Sequence, residues 1–264
     1  MHVSEREQAI LDLLSQSGFI AFRQLEKHLD ASPATLRRDL TRLADEGRIE
    51  RVRGGARLPA AAGSDPDELS EHLAGVPFHE NIHRMPRQKA AIGRVAASLC
   101  QAGSAIMIDG GSTTLQMCRH LQGLNLQVLT NSLHVVSALL PQAGTRVLLP
   151  GGSLFREQNI ILAPAGDDLM PRFHAPRLFM GAAAVGPQGI MQTDVVLVAA
   201  ERRFIERAEE VILLVDSSKF QGSSGNVVCE LEKIDIVISD NGIEANHVEM
   251  LEKAGVRLVV AEVD

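Results

Sequence analysis

Apolar positions recur at helical spacing three times within the first sixty residues. Between Glu5 and Ser17, Ile10, Leu13 and Leu14 stand at i, i+3 and i+4, which marks one apolar helix face, and Gly18 ends the stretch. Phe22, Leu25 and Leu29 repeat the spacing in a second short helix, and Asp30-Ala31 form the turn after it. Ser32-Pro33 then opens a third helix, because serine is a good N-cap and proline suits the first helical position. In that helix Leu36, Leu40 and Leu43 face a core, while Arg37, Arg38, Thr41 and Arg42 fall largely on other faces. Gly47 ends it, and Ile49 to Arg57 reads as a short arginine-rich hairpin, a wing.

Leu58 to Pro66 has little patterning and reads as a linker. Residues 67–85 hold His72, His79 and His83 without metal-ligand spacing, so they read as polar surface histidines and no zinc site is expected. From Pro86 onward, strands and helices alternate. Ile92, Val95, Ala96 and Leu99 make a helix face, and short apolar runs follow at Ala105–Ile108, Leu126–Leu129, Val147–Leu149, Leu178–Met180, Val211–Val215, Ile236–Ile238 and Val256–Val260. Runs of this kind are the signature of strands covered on both faces, as in a parallel sheet. The expected organisation is a winged helix-turn-helix over 1–57, a linker over 58–75 and an α/β effector-binding domain over 76–264.

Composition sharpens this. With 264 residues and 45% hydrophobic residues the chain can build two cores, and no run of about 18 apolar residues is present to span a membrane. The start of the chain passes directly into a helical pattern and does not read as a signal peptide. Three cysteines, Cys100, Cys118 and Cys229, are odd in number and far apart, which fits small buried hydrophobes in a reduced, cytoplasmic protein.

The net charge of −7 argues at first against nucleic acid. Its distribution reverses that reading. Residues 1–59 carry 10 basic and 9 acidic side chains, net +1, and residues 60–264 carry 16 and 24, net −8. Ser32 to Arg57 holds seven basic residues against four acids, and all seven are arginines, the side chain suited to forked contacts with phosphate and guanine. A small basic module is attached to an acidic body. Charged helix faces are usually just solvated. Here an N-capped helix carries paired arginines and is followed by a basic Gly-Gly hairpin, which favours double-stranded DNA as partner. The candidate DNA-binding residues are Ser32, Pro33, Ala34, Thr35, Arg37, Arg38, Arg42, Arg51 and Arg53. The start of the third helix would enter the major groove, with Pro33, Ala34, Thr35 and Arg38 at base edges and the remaining groups at phosphates.

In the larger domain each strand is followed by small, hydroxylated or glycine residues. In an open parallel sheet such loops gather at the carboxyl ends of the strands, where ligands bind. Backbone amides, hydroxyls and helix N-termini are the groups that hold a phosphate. The candidates are Asp109, Gly110, Gly111, Ser112, Thr113 and Thr114; Thr130, Asn131 and Ser132; Gly151 and Gly152; Gly181; and Ser218 with Lys219 as a point positive charge. Asp109 and Asp194 can accept hydrogen bonds from sugar hydroxyls, and Asp109 can equally cap the helix that follows it. No cofactor beyond a small-molecule effector is expected.

The stretch Arg6 to Ala56 resembles the N-terminal signature of the DeoR family of bacterial regulators. The resemblance rests on Ser32-Pro33-Ala34-Thr35-Leu36-Arg37-Arg38-Asp39-Leu40, then Leu43, Gly47 and Arg53-Gly54-Gly55-Ala56. It continues through Lys89 with Ile92, Asp109 to Thr114, Thr130-Asn131-Ser132, Gly151-Gly152, Gly181-Ala182, Gly189, Glu201 and Asp216 to Phe220, and so covers nearly the whole chain. It implies operator binding by the first module. It also implies a sensor domain similar in fold to ribose-5-phosphate isomerase and the CoA transferases that binds phosphorylated sugars or related metabolites, and it adds Lys89 and Glu201 to the effector-binding candidates. The sequence departs from the family pattern in starting its hydroxyl run with Ser112 and in offering Arg202 and Arg203 after the glutamate. Gly151 to Pro164 and Gly189 to Asp194 resemble the ascorbate-utilisation repressors within the family.

The expected function is a sequence-specific repressor of a carbohydrate-utilisation operon, released from operator DNA by a phosphorylated sugar or sugar acid. One winged helix makes few contacts, so a homo-oligomer, dimer or tetramer, is expected. The alternatives are a sugar-phosphate isomerase using Asp109, Glu201 and Lys219 as acid, base and anion clamp, and an architectural DNA-binding protein. The fused DNA module counts against the first, and the cluster of phosphate-cradle loops counts against the second.

Overall fold

In the computed structural model the described residues are 6–7, 9–11, 13–14, 19–22, 25, 29, 31–45, 48–52, 55–57, 77–163 and 170–263, in two compact units, Met1–Ser70 and Glu71–Asp264. The expected linker, 58–75, lies outside the described residues, apart from which each unit stands on its own core.

In the first unit the Ser32 hydroxyl accepts from the Thr35 amide at 3.2 Å, and the Ser32 carbonyl accepts from the Leu36 amide at 3.0 Å. Helix α1 (Pro33–Asp45) starts there. Its Leu36, Leu40 and Leu43 are buried with Ile10, Leu14, Leu25, Leu29, Ile49 and Ala56. Each such side chain contributes about 1.5–3 kcal/mol relative to exposure, which makes the leucine spacing the main reason the helix packs as it does. The wing is a hairpin of β2 (Glu50–Val52) and β3 (Gly55–Arg57). A short strand that the sequence did not predict, β1 (Phe19–Ala21), pairs antiparallel with β3 and completes a three-stranded sheet.

The second unit is built on seven parallel strands: β4 (Ala105–Ile108), β5 (Gln127–Leu129), β6 (Arg146–Leu148), β9 (Ala175–Met180), β12 (Ala208–Leu214), β14 (Ile236–Asp240) and β15 (Arg257–Ala261). Their order in the sheet is β15-β14-β12-β9-β4-β5-β6, and every pairing is parallel. One apolar cluster, with Ile106, Val128, Phe179 and Ile238, packs on one face under α3 (Pro86–Ser98) and α4 (Ser112–Met117). A second, with Met107, Leu178, Leu213 and Phe204, packs on the other. Two-sided burial explains the unbroken apolar runs.

From β4 the chain winds outward to β5 and β6, then returns to the far side of β4 with β9 and winds the other way. The switch between directions lies between β4 and β9, the place where open α/β sheets form a crevice. Antiparallel additions surround it: a hairpin of β7 (Ser153–Phe155) and β8 (Ile160–Leu162), and a small sheet β10-β11-β13 from Ala184–Gly186, Gly189–Gln192 and Asn226–Cys229. Short helices α2 (Phe78–Asn81) and α5 (Leu133–Leu139), and the longer α6 (Val195–Ile205), complete the surroundings of the crevice. Among the described residues no helix is long and apolar enough to cross a membrane.

Candidate functional site: a cavity at the β4–β9 switch point and a basic face on the first module

A cavity of about 400 Å³ opens at the carboxyl ends of the central strands. That is the size of a small-metabolite site. The loop after β4 lines it with Asp109, Gly110 and Gly111, and the start of α4 with Ser112 and Thr113; the loop after β5 contributes Asn131, the loop after β9 Gly181, and the turn after β12 Ser218 and Lys219. Glu201 enters from α6. Ten of the seventeen sequence-predicted effector residues therefore meet around one space, brought from five separate segments.

Asp109 is the organising group. Its Oδ1 accepts from the Gly111 amide at 2.9 Å and the Thr114 hydroxyl at 2.8 Å, and its Oδ2 accepts from the Gly181 amide at 2.7 Å. Burial pushes its carboxyl above the ordinary carboxylate range, while the Gly181, Gly111 and Thr114 donors pull it back. On the opposite side the buried Asp240 at the end of β14 accepts from the Ser217 amide at 2.7 Å and the Ser217 hydroxyl at 2.9 Å, which fixes the turn that carries Lys219. No spacing or motif around Asp240 marks that anchoring role.

Glu201 is 8% exposed. Its Oε1 accepts from Gln192 Nε2 at 2.6 Å, and among the described residues its buried Oε2 has no partner. Burial raises its carboxyl well above the usual range, and the Asp109 charge raises it further. Asn131 is likewise buried with its Oδ1 unpartnered.

Seven predicted effector residues stand elsewhere, six of them with a structural task. Lys89 is 1% exposed, and its ammonium is bound to Asn81, to the main-chain oxygen and to Oδ1 at 3.2 Å. It holds the cavity wall from behind. Thr114 is spent on Asp109 and on the Gly111 carbonyl at 2.8 Å. Thr130 accepts from the Ser132 amide at 3.1 Å, and Ser132 caps α5 through the Val135 amide. Asp194 caps α6 by accepting from the Val196 amide at 3.1 Å. Gly151 and Gly152 are exposed and off the cavity. Gly152 has φ +146°, and a Cβ there would lie 2.2 Å from the Leu162 oxygen, so the glycine serves the close approach of the β7–β8 hairpin.

Sequence reasoning missed Arg84, Asn81, Gln158, Gln192, Ser223 and Ser224, all of which line the cavity. Arg84 brings a second cation, and the others lie in segments without strand or helix periodicity. Burial pushes the Cys100 and Cys118 thiols up to about 12 and, with Glu201 nearby, Cys229 to about 11. Among the described residues no group of three His, Cys, Asp or Glu is placed to hold a metal ion.

On the first module Ser32, Pro33, Ala34, Arg37, Arg38 and Arg42 are exposed and Thr35 is partly so. Arg37, Arg38, Thr41 and Arg42 line one shallow concavity. Two of these arginines also have intramolecular partners. The Arg37 guanidinium lies 4.9 Å over the Phe22 ring, and Arg42 pairs with Glu7, its Nε at 2.5 Å, and more loosely with Asp39 at 3.8 Å. A buried pair, Arg6 Nε to Asp39 Oδ2 at 2.8 Å, ties the first helical segment to α1. Arg51 lies in β2 with its side chain outside the described residues, and Arg53 is outside them altogether.

Comparisons with known proteins fit both modules. The family model for the DeoR-like helix-turn-helix domain matches residues 6–61, and that for the DeoR C-terminal sensor domain matches residues 84–241. The HTH-type transcriptional repressor GlcR of Bacillus subtilis (strain 168) is 31% identical over 100% of this chain and 98% of its own length. The HTH-type transcriptional regulator UlaR of Escherichia coli (strain SMS-3-5 / SECEC) is 27% identical over 98% of this chain and 99% of its own. Among solved structures, ribose 5-phosphate isomerase A from Methanocaldococcus jannaschii aligns with a TM-score of 0.37 at 16% identity, covering 50% of this chain and 53% of that one. A probable sor operon regulator from Shigella flexneri aligns with a TM-score of 0.36 at 9% identity, covering 67% and 86%. With an N-terminal helix-turn-helix, a parallel-sheet sensor domain and a match to the family over both, this chain belongs to the DeoR family of transcriptional regulators.

Proposed function

We propose that this regulator represses a carbohydrate-utilisation operon and leaves its operator when a phosphorylated sugar or sugar acid fills the cavity at the β4–β9 switch point. The observation that carries the reading is the cavity lining. Arg84 and Lys219 supply two positive charges, Gly110 and Gly111 lie in the turn ahead of α4, and Ser112, Thr113, Ser218 and Asn131 offer short polar side chains. This set fits a phosphate at one end and hydroxyls along the rest. An isomerase reading has less support, because Asp109, its candidate acid or base, already accepts from three protein donors.

Ligand binding alters operator affinity only through unequal affinity for the DNA-competent and DNA-incompetent states. A coupling of about 1–3 kcal/mol gives 5–150-fold. The protein acts as a homo-oligomer, because one winged helix reads a single half-site. The test is a thermal-shift screen of sugar phosphates and sugar-acid phosphates, with each hit added to a complex of the full chain and its promoter DNA. A hit that raises the melting temperature and releases the DNA supports the reading. A screen without hits, or hits that leave promoter affinity unchanged, rejects it.

A further inference from the structure

The most informative group in the cavity is Glu201. Its two carboxyl oxygens have different surroundings: Oε1 accepts from Gln192 Nε2 at 2.6 Å, and Oε2 is buried with no partner among the described residues. The residue is 8% exposed and lines the cavity. An ionised Glu201 would place a second negative charge beside Asp109 in a buried site and leave one charged oxygen unsatisfied, an arrangement that costs far more than a neutral acid. A neutral acid has one proton to place. Because Oε1 is already an acceptor, the proton belongs on Oε2.

We propose that Glu201 serves as an uncharged carboxylic acid whose Oε2–H donates to a carbonyl or carboxylate oxygen of the effector, so that the site selects phosphorylated sugar acids over the corresponding polyol phosphates. The inference rests on the sugar-phosphate reading above and deepens it. Asn131 Oδ1, the other buried unpartnered atom, complements the selection as an acceptor for an effector hydroxyl. A polyol phosphate satisfies Asn131 but offers Glu201 only a hydroxyl. An aldonate phosphate offers both partners, and a hydrogen bond to its charged carboxylate is the stronger kind.

Proton and effector binding are then linked. Glu201 must hold its proton to donate, so preference for the acid is greatest at low pH and falls as pH rises through the carboxyl's raised titration range. Around Glu201 the relevant charges are Asp109 from the β4 loop, which acts in the same direction as burial, and Arg84 and Lys219 on the cavity wall. Arg202, next on α6, donates to the Val228 and Val227 carbonyls at 2.7 and 2.9 Å. The Cys229 thiol on β13 keeps its proton to about 11 and stays silent near neutrality. Lys89, whose ammonium titrates at about 8, stands behind the wall and acts on any phosphate equally.

The test uses matched pairs, 6-phosphogluconate with glucitol 6-phosphate and ribonate 5-phosphate with ribitol 5-phosphate. Binding to the full chain is measured by calorimetry, since the sequence has no Trp or Tyr. Within a pair the phosphate ionises alike, so the affinity ratio isolates the acid end. The expected ratio favours the aldonate in mild acid and falls by up to about tenfold per pH unit once Glu201 titrates. Glu201→Gln, which can donate but cannot titrate, flattens the ratio. A carbonyl-stretch band of a protonated carboxyl should appear in the infrared difference between wild type and Glu201→Gln at neutral pH. A pH-independent ratio in wild type overturns the proposal, and if the variant does not fold this ratio alone decides. Absence of the band also overturns it. Absence of binding by every member at every pH rejects the sugar-phosphate reading itself, and this inference with it.

Discussion

Asp109 Oδ2 accepts a 2.7 Å hydrogen bond from the Gly181 amide and so clamps the loop after β4 to the loop after β9. These residues are 72 apart in sequence, and their strands are the pair at which the sheet reverses its winding. The crevice that such a reversal leaves open is here tied shut at its base by one carboxylate. That bond lies at the cavity's floor, and Glu201, Lys219 and Arg84 stand on other elements around it.

Asp109→Asn tests that clamp. The amide can satisfy the Gly111 and Thr114 donors with its oxygen, but its NH₂ then faces the Gly181 N–H. Two buried donors opposed cost about 1–3 kcal/mol. Urea denaturation should show that loss, and any sugar phosphate bound by the wild type should bind more weakly to the variant. Stability equal to wild type would show that the Asp109–Gly181 bond does no structural work.

Lys89 gives a pH-dependent signature. Its ammonium is lowered from 10.5 to about 8, chiefly by burial; Asp216 opposes the shift, and Lys219 and Arg84 add to it. Below about 8 the folded and unfolded states both hold the proton, and the slope is nil. Between about 8 and 10.5 the unfolded chain holds more protons, so this group makes stability rise with pH, and the effect ends above the unfolded value. Lys89→Met also loses the bonds to Asn81, a constant offset. Wild type should therefore gain on Lys89→Met across that window in paired denaturation series, and a constant difference would refute the assignment.

The seven sheet strands were legible because a strand covered on both faces needs an unbroken apolar run, as in Ala105–Ile108 or Ile236–Ile238. The α1 start was legible because Ser32 and Pro33 act locally. The antiparallel pieces were not. β10 is Ala-Val-Gly and β11 is Gly-Ile-Met-Gln, too short to show alternation, and their pairing is set by residues far along the chain. The same limit governs the site. Loop chemistry after each strand pointed to Asp109, Ser112 and Lys219. It could not separate residues facing the cavity from those holding its walls, so Thr114 and Asp194 read as ligands, as did Lys89 through the family resemblance. Arg84 sits between α2 and α3 with no pattern to mark it.

Arg84 carries its own prediction. A charged hydrogen bond to a phosphate contributes about 1.5–3 kcal/mol. Arg84→Ala should weaken every phosphorylated ligand about tenfold or more, while the matching unphosphorylated sugars lose little. Equal losses for both would place Arg84 in folding rather than in anion binding.

The exposed arginines of α1 should separate by their partners. Arg38 is exposed, with Ser32, Pro33 and Ala34 one turn before it at the helix start, whereas Arg42 is already paired with Glu7. Arg42→Ala removes a positive charge but also frees Glu7, so its effect on DNA binding mixes the loss of a phosphate contact with a new exposed carboxylate. Arg38→Ala removes only an outward group. If Arg38 reads a base through its fork, its loss costs about 1–3 kcal/mol on the operator and little on unrelated DNA. A phosphate contact would instead weaken both about equally and reduce the salt dependence of binding by about one ion. Operator and random-sequence titrations at several salt concentrations distinguish these outcomes. Unchanged affinity for both sequences would remove the α1 N-terminus from the groove.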